Sequence, residues 1–386
     1  MLVRRLASVR QLAWGLRATE AHEERDILVE ADQNRPNVVV FSLGGTIAMT
    51  RQAGGGVAPA LTAADLIAAV PGLPESGISV GVNDFRRVPG ASLAIADLLS
   101  LAGAIEEEIA AGVTGVVITQ GTDTIEETSY LLDLVHSGDE PVVVTGAMRN
   151  PTLAGADGPA NLLAAIQTAA SVQARGLGCV VVFGDEIHAA RYVRKTHSTS
   201  VMAFASPTAG PIGFLVEGQP RITFHLERDL VIAWPNIDQE VRVALVLITL
   251  GDDGELLRGL DQRFDGLVVG AFGGGHVPEN TVSILAGLAE RIPVVLASRT
   301  GAGSVLSHTY GFPGSESDLL GRGLLSAGSL DPLKARILLH LLLASGAKSG
   351  DITYAFAAAG GHLDGPTRSD LALRKQTETS RGERDY

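Results

Sequence analysis

From residue 37 onward the chain repeats one pattern, in which short unbroken apolar runs rich in valine and isoleucine alternate with segments of helical length. The runs occupy residues 38–41, 113–119, 142–145, 180–183, 243–249, 266–269 and 293–297. A strand with one wet face alternates apolar and polar residues. A strand apolar throughout is expected to be covered on both faces, as in a parallel sheet. Parallel neighbours cannot be joined by a tight turn and need a long crossover. Residues 94–111, 126–135 and 161–170, rich in alanine and leucine, are suited to that role. The pattern predicts a doubly wound α/β fold.

The rhythm breaks once. Residues 206–237 hold Pro207, Gly210, Pro211, Gly213, Gly218, Pro220 and Pro235 among β-like fragments, and the end of this stretch reads as a linker. A length of 386 residues suits two domains. The expected division is a larger amino-terminal domain over 37–225 and a smaller one over 241–355. Before them, residues 1–36 form an extension. Its first 19 residues carry Arg4, Arg5, Arg10 and Arg17 and no acid, which superficially fits a transit peptide without the apolar core of a secretory signal. Residues 366–386 are polar and charged and read as a loose tail.

Bulk properties narrow the partners. A formal net charge of −13 disfavours nucleic acid, whose phosphates call for clustered lysine and arginine. The single cysteine, Cys179, excludes an internal disulfide and a two-cysteine metal site. No run approaches the roughly 20 apolar residues of a membrane span.

Two strand ends carry candidate chemistry. The run at 38–41 leads through Ser42 and Leu43 into Gly44-Gly45-Thr46. Ligands of open α/β sheets bind at the carboxyl ends of strands, glycines permit positive φ and close approach of a ligand, and backbone N–H groups can hold an oxyanion. Thr46 would then be a nucleophile, although Gly-Gly-Thr alone is equally the pattern of a plain βα turn. The second strand end reads Gln120-Gly121-Thr122-Asp123-Thr124-Ile125-Glu126-Glu127-Thr128. Asp123 and Glu126 have the spacing of a helix capping pair. A carboxylate there can also hold a substrate ammonium, with Thr122 beside it to pass a proton or place a water.

Together these segments resemble the two signature motifs of the bacterial-type asparaginase/glutaminase family. The likeness continues through Thr145-Gly146-Ala147-Met148-Arg149, Asp157-Gly158-Pro159-Ala160-Asn161 and Arg194-Lys195-Thr196, and covers about 37–345. It implies two α/β domains and a threonine acyl-enzyme mechanism with Thr46, Thr122, Asp123 and Lys195 as catalytic residues and no cofactor or metal. Gly45, Gly90, Ala91, Ser92, Thr122 and Asp123 would bind the substrate. The implied substrate is L-asparagine, with glutamine as the alternative, and the implied assembly is a cytoplasmic homotetramer of close dimers. More distant readings are the amidase subunit of a tRNA-dependent amidotransferase and an inactive amino-acid sensor. The acidic charge and the lack of a further folded amino-terminal domain weigh against the first, the intact catalytic set against the second.

Two departures bear on affinity, and a further one, at Gln120, is peripheral. The loop over 49–59 holds Gly54-Gly55-Gly56 and lacks the tyrosine usual there. The segment that binds the substrate carboxylate, commonly a serine and a polar residue, reads Gly90-Ala91 with Ser92 next. Gln120 stands where many members have histidine. In the smaller domain, Ala271-Phe272-Gly273-Gly274-Gly275-His276 resembles a loop offered to a neighbouring subunit's site, with His276 in place of a residue that often bears an amide.

Overall fold

A computed structural model describes residues 35–51, 57–59, 61–228, 230–235 and 240–361. Nearly all of the amino-terminal extension, the tail over 366–386 and the centre of the loop over 49–59 lie outside them.

Eight strands form the first sheet: β1 (Asn37–Ser42), β4 (Ser79–Asn83), β5 (Gly115–Thr119), β6 (Val142–Thr145), β7 (Cys179–Phe183), β8 (Glu186–Ala189), β11 (Gly213–Val216) and β12 (Gln219–Ile222). Two short hairpins stand apart from it, β2 (Met49–Arg51) with β3 (Val57–Pro59), and β9 (Arg194–Lys195) with β10 (Phe204–Ala205). The sheet order is β12-β11-β8-β7-β6-β5-β1-β4. Its centre is parallel from β4 to β7, and β5, β6 and β7 are buried along their whole length, as their unbroken apolar character requires. Helices α1 (Ile95–Ala110), α2 (Ile125–Val135) and α3 (Gly158–Ala169) supply crossovers.

The sheet is mixed, however, where the apolar runs predicted parallel strands. Gly184 and Asp185, both at positive φ (59° and 63°), turn β7 straight back into β8. Glu217 and Gly218 do the same between β11 and β12. A two-residue hairpin turn with both central residues at positive φ matches the twist of the flanking strands. Part of the Pro/Gly-rich stretch after residue 206 therefore extends the first sheet.

The second sheet is parallel, in the order β13 (Val243–Leu247), β14 (Gly266–Ala271), β15 (Val294–Ser298), β16 (Leu325–Ser326). It is flanked by α4 (Val282–Ala289), α5 (Pro332–Ala344) and α6 (Ser349–Ala359). Pro332 opens α5 and Asp331 caps it, Oδ1 accepting the Leu333 N–H at 2.8 Å. One buried apolar cluster runs through both halves, joining Leu131 and Leu134 of α2 to Leu338 and Leu342 of α5 and Phe356 of α6. The two domains thus share a core along the α2–α5 contact.

Chain order then places the site. From β1 the chain goes to β4 on one flank, and then to β5 on the other. The crevice opened by such a reversal, at the carboxyl ends of the strands, is where open α/β sheets bind ligands. Thr46 and Thr122 follow those two strand ends.

Candidate active site

Backbone contact builds the crevice. The Leu43 N–H donates to the Thr119 carbonyl (2.9 Å) and the Val88 N–H to the Leu43 carbonyl (3.1 Å), which draws three segments together. At their meeting point all three present glycine. A Cβ on Gly45, at φ 84°, would lie 2.1 Å from the Gly121 nitrogen. On Gly90 it would lie 2.8 Å from the Gly121 carbonyl oxygen, and on Gly121 2.8 Å from the Gly90 nitrogen. No side chain fits in those gaps. The close approach sets the two turns that end in Thr46 and Thr122 directly against each other.

Thr46 opens a single 3-10 turn, Thr46–Ala48, and is partly buried, with Ile47 and Ala48 fully inside. Its hydroxyl has no hydrogen-bond partner among the described residues. Thr122 opens a second 3-10 turn, Thr122–Thr124, ahead of α2. The hydroxyl of Thr122 and the Asp123 carboxylate are joined by one group: Lys195 Nζ donates to Thr122 Oγ1 at 2.9 Å and to Asp123 Oδ1 at 2.7 Å. Lys195 is largely enclosed (15% exposed side chain), whereas Asp123 is open to solvent (67%). Asp123 and Glu126 do not form the capping pair that their spacing predicts. Residue 124 is the N-cap and no side chain caps α2, because the intervening 3-10 turn hands the Asp123 carboxylate to Lys195.

Other expected positions fall around this centre. Residues Gly90, Ala91 and Ser92 form a 3-10 turn with Gly90 buried and Ala91 and Ser92 exposed. Its leading N–H groups, as at any helix start, are not used by the turn itself. Gln120 is fully buried, and its Nε2 donates to Thr124 Oγ1 (3.2 Å) and the Gly121 carbonyl (3.3 Å), pinning the second turn. His276 lies within its own domain's loop, Nε2 3.2 Å from Glu316 Oε2 and edge-on to Tyr310 and Phe312.

Sequence reasoning missed two supporting sets. The Asp157-to-Asn161 motif does more than start a helix. Asp157 accepts the N–H groups of Met148 (2.9 Å) and Arg149 (2.8 Å), and Asn161 Nδ2 donates to the Gly146 carbonyl (3.0 Å). Together they tie down the loop after β6. Gly158 lets that helix start close on Ile47, beside Thr46, since a Cβ there would lie 2.9 Å from Ile47 Cγ1. The spacing of Asp157 and Asn161 at i and i+4 on one helix face was the available signal. The second set surrounds Arg194, which on its own reads as a solvated base. It instead faces Asp331 (3.0 Å) and Glu126 (3.8 Å). Nothing local in the sequence links residues 194 and 331.

Among the described residues no group of three or more His, Cys, Asp or Glu could hold a metal ion, and no helix is long and apolar enough to cross a membrane.

Comparison with known proteins adds the following. Residues 37–228 match the family model described as Asparaginase, N-terminal, and residues 242–356 that of the Glutaminase/Asparaginase C-terminal domain. The chain is 37% identical over 324 residues to a probable L-asparaginase of Deinococcus radiodurans, covering 83% of this chain and 97% of that protein. It is 33% identical over 319 residues to an L-asparaginase of Bacillus licheniformis, covering 80% and 95%. A solved structure of a probable cytoplasmic L-asparaginase from Campylobacter jejuni superposes with a TM-score of 0.75 at 31% identity, covering 84% of this chain and all (100%) of that one.

Proposed function

The chain belongs to the asparaginase family, and from that membership and the geometry of its two glycine–threonine turns we propose that it hydrolyses the side-chain amide of L-asparagine to L-aspartate and ammonia through an acyl ester on Thr46. The observation that carries this reading is the single ammonium, Lys195 Nζ, bonded at once to Thr122 Oγ1 and Asp123 Oδ1. In its neutral form that amine can take a proton from Thr122, which can in turn take one from an attacking hydroxyl or water, the usual way to activate a weak oxygen nucleophile.

In the first half-reaction Thr46 Oγ1 bonds to the amide carbon while its proton passes toward Thr122 and the neutral Lys195 amine, and the carbonyl electrons move onto oxygen. Backbone N–H groups at the glycine turns stabilise that oxyanion. The C–N bond then breaks, the nitrogen takes up a proton, and ammonia leaves. In the second, water attacks the ester while its proton passes toward Thr122 and Lys195. The C–O bond breaks, Thr46 recovers its proton, and aspartate is released. Asp123 has Oδ1 on Lys195 and a side chain largely open to solvent, which leaves its carboxylate free to bind the substrate α-ammonium. Gly90 and Ala91 offer N–H donors, and Ser92 a hydroxyl, to the α-carboxylate. The same reading gives a homotetramer of close dimers in the cytoplasm, which light scattering and cell fractionation would check.

Ammonia release from asparagine and glutamine, measured side by side, tests the activity. One methylene is worth only about 1–3 kcal/mol of discrimination, so the ratio must be measured. Mass spectrometry of acid-quenched enzyme, expected to find an aspartyl ester on Thr46, tests the mechanism. Turnover with no acyl-enzyme, under conditions where acylation outpaces deacylation, would overturn it.

A further inference from the structure

Behind Lys195 lies a second set of charges that the proposed reaction does not use: Glu126, Arg194, Asp331 and Lys334. Successive strand residues face opposite ways. As Lys195 enters the site from β9, Arg194 turns away from it toward the carboxyl-terminal domain. There Arg194 Nε lies 3.0 Å from Asp331 Oδ2 and 3.8 Å from Glu126 Oε2. The contacts are ion pairs whose alignment does not make a hydrogen bond. One residue earlier, the buried Val193 carbonyl accepts a hydrogen bond from Lys334 Nζ. Lys334, on the first turn of α5, is 1% exposed, and Val193 is wholly inside. Glu126 stands three residues after Asp123, on the segment that carries Thr122. Both catalytic segments are therefore held from the rear by one charged cluster, half of it supplied by the other domain.

We propose that Asp331 and Lys334 are positioning residues, through which the carboxyl-terminal domain fixes the β9 backbone and so the reach of Lys195 Nζ to Thr122 and Asp123. This rests on the role given to Lys195 above. Stability alone is a poor reason for the cluster. Ions removed from water lose hydration that their mutual attraction only partly restores, and apolar residues of similar shape often stabilise as well or better. Here burial pushes the Glu126 carboxyl up, with Lys334 and Arg194 opposing, and pulls the Lys334 ammonium down, with Glu126 and Asp331 opposing. What the cluster supplies that apolar packing cannot is direction: a donor on one carbonyl and a carboxylate on one guanidinium. The strand pairs with the equally short β10, so the charged cluster adds a fixed point from the other domain to a hairpin that stands apart from both sheets.

Asp331 allows a clean test, because its two oxygens do different work. One caps α5 and the other faces Arg194. Asp331→Asn keeps a good capping side chain and removes the charge. We expect Asp331→Asn and Lys334→Met to lose kcat by about 10- to 100-fold, the scale of a small misplacement of a catalytic group, with KM within about twofold of wild type. The melting temperature should hold for Asp331→Asn and fall for Lys334→Met, which leaves the buried Val193 carbonyl without its donor. Arg194→Lys, which keeps the charge, should retain more kcat than Arg194→Gln. Wild-type protein is assayed first. If it releases no ammonia from asparagine or glutamine, the reading of the site fails. If it is active and folded Asp331→Asn keeps wild-type kcat, or changes KM alone, the positioning role is refuted while the active site stands. Should Lys334→Met fail to fold, Asp331→Asn and the partly exposed Arg194 carry the same test.

Discussion

Placing a serine at position 90, where the family resemblance leads one to expect it, should damage this enzyme rather than improve it. The argument is steric. Gly90 is not in the left-handed region of backbone conformation, so a side chain there meets no torsional objection. It meets the opposite turn: a Cβ would lie 2.8 Å from the Gly121 carbonyl oxygen and 3.2 Å from the Gly121 Cα. Both are backbone atoms, and Gly121 is itself pressed against Gly45, so neither turn can yield without moving Thr122 or Thr46. Overpacking of this kind costs about 1–3 kcal/mol. At 1.36 kcal/mol per tenfold, strain falling wholly on the transition state lowers kcat/KM by roughly 5- to 150-fold. Ala91→Ser is the steric control for the melting curves only, since residue 91 is exposed and a surface substitution there should change stability by no more than about 0.5 kcal/mol. Steady-state ammonia release, with a melting curve for each variant, decides the matter. A Gly90→Ser enzyme with kcat/KM at or above wild type, or with a lower KM, would mean that the turns part freely and that the glycines are incidental.

Four further outcomes follow. Thr46→Ala should fold normally and lose amide hydrolysis by about 10⁴-fold or more, as when an enzyme loses its nucleophile; near-normal turnover by the folded variant would remove Thr46 from that role. Lys195→Met should lower kcat far more than it raises KM, whereas a pure KM effect would make Lys195 a substrate ligand. With Gly90-Ala91 in the carboxylate segment and no tyrosine over 49–59, KM for asparagine should fall in the upper part of the usual ~1 μM–1 mM range or beyond it; a low-micromolar value would show that other donors replace the missing ones. His188 is fully buried, and burial holds its imidazole down at about 4. An unfolded histidine takes up its proton near 6.5, so between those values the unfolded state binds more protons and stability falls as pH drops. The loss is at most about 3 kcal/mol. Urea titrations at pH 7 and 4.5 would read it, and His188→Gln should flatten the difference.

The fold was legible where burial is two-sided. Each unbroken apolar run became a strand, since residues such as Val116, Val117 and Ile118 have both faces of the sheet to fill. Strands at the margins left weaker marks. Ser79–Asn83 forms the edge strand β4 beside β1, with Gly81 facing the Val39 side chain, and its only mark is a short alternation of Val80 and Val82 with Ser79, Gly81 and Asn83, unlike the unbroken apolar runs. The short strand over Glu186–Ala189 follows Gly184-Asp185, a turn signal that was present in the sequence. What hid it was the expectation that β7 would lead to another crossover. Both misses come from reading one strand at a time, whereas an edge or a hairpin is defined by its neighbour.

The site divides along the same line. Thr46, Thr122 and Asp123 could be named because each follows a strand end, and chain topology brings strand ends together. Lys195 has no such local warrant. In isolation Arg194-Lys195 is a solvated pair, and only resemblance singled it out. The structure supplies the reason that composition could not. The lysine reaches the crevice because its strand is held from the other domain, by Lys334 on the Val193 carbonyl and Asp331 on Arg194. Those partners lie more than a hundred positions away, on a helix whose own pattern, Asp331-Pro332 followed by an apolar face, reads only as a well-made helix start. Local pattern marks the groups that perform a reaction when backbone geometry alone positions them. Where a side chain from another domain does the positioning, the need for it becomes visible only once the two domains are seen to share a core.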